Sequence, residues 1–90
     1  MNKRTPAVAG RFYPGDREGC ARALAELTAE LKQGAAVGAI VPHAGWIYSG
    51  RTAAKGLAAI ADGGAETIIL FGAAHRRTGQ IGSVYVGGAW

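Results

Sequence analysis

Val37-Gly38-Ala39-Ile40-Val41-Pro42-His43-Ala44-Gly45-Trp46-Ile47-Tyr48-Ser49-Gly50 passes from an apolar run, through a turn, toward a helical pattern that starts near Arg51. The apolar part, from Ala35 to Val41, does not alternate, as expected of a strand covered on both faces. Pro42 stops it, because proline cannot donate to a central ladder. Ser49 is a candidate cap for the helix that follows, whose inward positions read Ala53, Leu57 and Ile60 before Gly63-Gly64 closes it. Thr67-Ile68-Ile69-Leu70-Phe71 is a second strand pattern, rich in β-branched and large apolar residues. Strand, helix, strand predicts a βαβ unit with a right-handed crossover and parallel strands. The fold class is therefore α/β, with a mostly parallel sheet.

Upstream, Ala7-Val8-Ala9 is extended and Pro14-Gly15 marks a turn. Asp16 is placed to cap a first helix whose apolar stripe is Cys20, Leu24, Leu27 and Leu31, with Gly34 as its terminator. Downstream, a loop over 72–79 leads to a weaker strand pattern over 81–86. One or two helices cover one face of a parallel sheet well but not both. The 90 residues thus read as a single, incomplete α/β domain that is finished either by further chain or by homo-oligomerisation.

Composition narrows the function classes. A hydrophobic content of 49% supports a globular domain. The one cysteine, Cys20, excludes an internal disulfide and reads as a small core residue. No run approaches the length of a membrane span, and the basic start has no apolar stretch behind it. The expectation is a soluble, cytoplasmic protein. The net charge of +4 is scattered, without the clustered basic face that nucleic acid requires. Gly72-Ala73-Ala74-His75 lacks the spacing of either nucleotide-binding glycine motif, so no nucleotide is expected.

Both histidines, His43 and His75, follow strand patterns directly. In α/β proteins the carboxyl ends of strands hold ligands. Neighbouring parallel strands lie ~4.8 Å apart, so two imidazoles there can share a metal ion. The alternative is that each histidine hydrogen-bonds its own loop. Two donors are short of a full set, since non-haem iron takes two histidines and a carboxylate and zinc takes three or four ligands. Trp46 and Tyr48, two apart, share a face if extended, and Tyr48 can offer a phenol to a bound ligand or simply plug the sheet end. Arg76 and Arg77 adjoin His75 and either attract an anionic group or stay solvated. Ser49 lacks a histidine–carboxylate pair and is not read as a nucleophile.

Ala9-Gly10-Arg11-Phe12-Tyr13-Pro14, then Pro42-His43-Ala44-Gly45-Trp46-Ile47-Tyr48-Ser49-Gly50, then Phe71-Gly72-Ala73-Ala74-His75 resemble the Memo family, protein B of the AmmeMemoRadiSam system. The matches keep the family's order across nearly the whole chain. The resemblance implies a fold like that of class III extradiol dioxygenases, with a metal-binding cleft at the strand ends. It implies that His43 and His75 are metal ligands for Fe(II) or Cu, with Zn as the alternative, and that Phe12 and Tyr48 line the cleft, to which the reading of the residues adds Trp46 and Arg76 as candidates. Family members commonly carry tyrosine at the Trp46 position and Gly-Pro followed by Ser or Asn before the second histidine, where this chain has Ala73-Ala74. They are also several times longer, so this chain resembles an N-terminal part whose remaining ligands lie further on. Any chemistry is then redox or oxygen-dependent and centred on the metal. The contrasting expectation is a non-catalytic module that uses the same cleft for a peptide or protein.

Overall fold

The computed structural model describes residues 2–77 and 79–89. The chain divides into two compact units: Ala7–Glu66, and Met1–Pro6 together with Thr67–Trp90. The first unit holds both helices, α1 (Arg17–Thr28) and α2 (Trp46–Ile60).

Helix α1 begins as its sequence predicts. Asp16 is extended, and its Oδ1 accepts the Gly19 N–H at 2.6 Å, satisfying one of the amides that a helix start leaves open. Glu18 in the first turn suits the positive end of the helix dipole. The terminator differs from expectation. The helix stops at Thr28, whose hydroxyl donates back to the Leu24 carbonyl at 2.7 Å, and Glu30 takes the left-handed backbone at φ 66°. Gly34 serves α2 instead. Its N–H donates to Ala58 O at 2.8 Å, the Ala36 N–H donates to Ala59 O at 2.9 Å, and its own carbonyl accepts the Asp62 N–H at 2.8 Å. Residues 34–36 thereby satisfy carbonyls that the last turn of α2 leaves open. A Cβ at Gly34 would stand 2.7 Å from Ala59 O. Only glycine, with no side chain, lets the two backbones approach this closely.

Helix α2 starts five residues before Arg51, and Ser49 is not its cap. Gly45 holds the N-cap position without a side-chain bond, and the Ser49 hydroxyl donates to Ala44 O at 3.1 Å from inside the first turn. The early start follows from the apolar stripe, which runs unbroken through Trp46, Gly50, Ala53 and Leu57 at helical spacing. At the far end Gly63 N–H donates to Ile60 O at 3.4 Å and Gly64 is left-handed at φ 67°.

The helices meet where Gly50, the buried residue of α2, faces Leu27 of α1; a Cβ there would lie 3.1 Å from Leu27 Cδ1. Around this contact runs an apolar groove of ≈410 Å³ whose walls include Leu24, Leu31, Ala54 and Leu57. Val41 packs on α2 at Gly56, leaving no room for a side chain there. Among the described residues no apolar side chain is fully buried.

The expected sheet does not form among the described residues. The runs over 35–41, 67–71 and 81–86 carry no ladder, and the pairings present are isolated bridges, Lys3 with Ala89 and Ala9 with Tyr13. A parallel strand needs neighbours on its edges and cover on both faces. Residues 34–36 give backbone bonds to a helix end instead, and Val37 and Ile40 are fully exposed. In the second unit the Arg4 N–H donates to Ala89 O at 2.7 Å and the Ala89 N–H to Asn2 O at 2.8 Å, while Ile68 to Phe71 stay exposed. No helix among the described residues is long and apolar enough to cross a membrane.

Candidate functional site

The site is built from a short turn that bonds to both helices. Val8 O accepts the N–H groups of Arg11 and Phe12, each at 3.0 Å, and Gly10, left-handed at φ 81°, donates to Tyr13 O at 2.8 Å. This folds residues 8–13 on themselves and turns the Phe12 carbonyl to the start of α2, where it accepts the Trp46 N–H at 2.8 Å. The Tyr13 and Trp46 rings stand 5.7 Å apart at 35°. That separation lies within the range of favourable aromatic pairs. On the other side the half-buried Cys20 thiol of α1 donates to Pro14 O at 3.2 Å.

Between this turn and the two helices lies a cleft of ≈580 Å³. Phe12 and Tyr13 of the turn, Ala23, Glu26 and Leu27 of α1, and Trp46, Ile47, Tyr48 and Arg51 of α2 are among its walls. The size suits a small molecule.

Of the residues singled out by sequence, Phe12, Trp46 and Tyr48 are thus brought to one cleft. Trp46 and Tyr48 do not share a strand face. Both lie in the first turn of α2, where a spacing of two points residues to nearly opposite sides of the helix. Trp46 is half-buried and borders both the cleft and the apolar groove, while Tyr48 is 86% exposed and borders the cleft. His43 is exposed in the loop ahead of α2 and is not among the cleft walls. His75 and Arg76 are exposed in the second unit.

A metal would draw on those two imidazoles. Among the described residues no three His, Cys, Asp or Glu side chains form a group able to hold an ion. Two imidazoles by themselves fall short of the donor sets that iron or zinc requires.

Sequence reading missed Tyr13, Arg11, Glu26 and Arg51 as cleft residues. With the start of α2 placed at Trp46, the i, i+3 relation of Tyr48 to Arg51 would have found the last of these. The contacts of Tyr13 and Glu26 are tertiary and have no local signal.

Residues 4–90 match the family model described as Memo-like protein. Similar chains include a MEMO1 family protein of Aquifex aeolicus, 44% identical over 92 residues, covering 100% of this chain and 34% of the relative. Another, from Thermoplasma acidophilum, is 39% identical over 90 residues, covering 98% and 34% respectively. A third, from Thermococcus onnurineus, is 44% identical over 94 residues, covering 97% and 31%. The chain thus spans about a third of the length of the curated relatives it matches. No solved structure matches it.

Proposed function

The chain belongs to the Memo-like protein family, and from that premise we propose that it is the N-terminal part of a metal-binding domain related in fold to class III extradiol dioxygenases. In that domain the runs over 35–41, 67–71 and 81–86 are strands of an α/β sheet, completed by further chain or by a second copy. His43 and His75 each give an imidazole to Fe(II) or Cu, with Zn as the alternative metal, and Arg76 stands beside the second. Phe12, Trp46 and Tyr48 hold a small molecule or peptide. The compartment is cytoplasmic.

One observation carries the reading: Phe12, distant in sequence from Trp46 and Tyr48, borders a single cleft with them, and His43 precedes the helix that presents the latter two. The test is anaerobic titration with Fe(II) and with Cu. Affinity falls sharply in His43→Ala and again in His75→Ala; equal binding by the wild type and both variants removes the metal from the proposal.

A second reading is favoured by the exposure of Tyr48 at 86% and Phe12 at 52%, which leaves both rings open to a protein or peptide partner. Under it the cleft is a non-catalytic docking site. Partner binding then survives chelation and is lost in Tyr48→Ala.

A further inference from the structure

The cleft beside Tyr48 is not electrically neutral. Arg11 of the turn and Arg51 of α2 border it, with one carboxylate, Glu26, from α1. Even with Glu26 facing one guanidinium, the other is left in excess. Arg51 lies three residues after Tyr48 and four after Ile47, so the three share a face of α2 and open on the same space. A guanidinium is a planar fork of donors that matches a carboxylate with two parallel hydrogen bonds. The remaining walls include Phe12, Tyr13, Trp46 and Tyr48, an aromatic set that suits a flat apolar body. The cleft's size leaves room for such a molecule.

We propose that this cleft binds a small planar aromatic carboxylate, its ring against the aromatic walls and its anionic group on Arg51 and Arg11. The inference deepens the cleft reading above and rests on Phe12, Trp46 and Tyr48 forming a ligand site. It does not rest on the metal. Arg11 and Arg51 are exposed, so their replacement leaves the helices in place.

The test is calorimetric titration of the protein, before and after chelation, with 4-hydroxybenzoate and with its neutral amide, 4-hydroxybenzamide. The two have the same ring and differ in charge. The acid binds about tenfold more tightly than the amide, the scale of a charge-assisted hydrogen bond. Arg51→Gln narrows that preference, and Arg11→Gln with Arg51→Gln abolishes it, the acid losing more affinity than the amide, while circular dichroism reports intact helices. Equal binding of acid and amide by the wild type overturns the proposal, as does no binding of the acid, or a preference that survives in the double variant. If acid binding keeps its arginine dependence after chelation and metal titration is unaffected by His43→Ala and His75→Ala, the metal reading falls and this one stands. If acid and amide bind equally and both are lost in Tyr48→Ala, the cleft stands and the charge assignment falls.

Discussion

The Phe12 carbonyl accepts the Trp46 N–H at 2.8 Å, so the first amide of α2 is closed by a turn from the other end of the helical unit. The same turn takes the Cys20 thiol on Pro14 O. Its shape depends on Gly10, which sits in the left-handed region at φ 81°. That region is costly for a residue with a branched Cβ. Gly10→Val therefore lowers stability by about 1–2 kcal/mol, and Gly10→Asn by clearly less, because asparagine tolerates the left-handed region. Thermal melts followed by circular dichroism check the order. Equal melting of the two variants would show that the backbone angle is not what holds the turn.

The rings of Tyr13 and Trp46, 5.7 Å apart, give the turn a second hold on α2. A double-mutant cycle of Tyr13→Ala and Trp46→Ala yields a coupling of about 0.5–1.5 kcal/mol. Tyr13→Phe keeps most of it, since the contact is between ring bodies. A coupling indistinguishable from zero would reduce the pair to mere proximity.

Two glycines respond oppositely to the same substitution. At Gly34 an added methyl stands 2.7 Å from the Ala59 carbonyl oxygen, which is backbone and cannot move without breaking the bonds that close α2. Gly34→Ala costs about 1–3 kcal/mol. At Gly50 the methyl meets the terminal carbons of Leu27 at 3.1 and 3.4 Å, and Leu27 borders both the groove and the cleft, into which it can turn. There the gain in helix propensity, about 1 kcal/mol, exceeds the crowding, and Gly50→Ala is neutral or stabilising. Comparison of the two melts decides it; a drop for Gly50→Ala as large as for Gly34→Ala would mean that Leu27 is locked.

What the sequence disclosed follows from the range of each interaction. The Asp16 cap is made three residues away, and so was legible. The end of α1 differs from the sequence reading because Gly34 meets the far end of α2 instead of closing α1, and the start of α2 differs because Gly45, not Ser49, holds the N-cap position, with the first amide bonded to Phe12. The motif residues Phe12, Trp46 and Tyr48 were identifiable, whereas Tyr13 and Glu26 reach the cleft through packing between elements. The strand patterns over 35–41 and 67–71 are legible as apolar runs, but a ladder is a property of two segments and is not contained in either.

Those apolar runs carry the last prediction. Val37 and Ile40 are fully exposed, and Leu70 and Phe71 are 85% and 92% exposed. Each run by itself leaves large apolar side chains open to water, and apolar surface left exposed in this way marks a contact region. The 90-residue chain therefore binds a hydrophobic dye strongly and associates as its concentration rises. Val37→Lys with Ile40→Lys lowers both signals without reducing helicity, because neither residue lies in a helix. Dye fluorescence and sedimentation read the two effects separately. Weak dye binding with a monomer at all concentrations would mean that these side chains find cover within the chain, and the incomplete-domain reading of the sequence would fall with it.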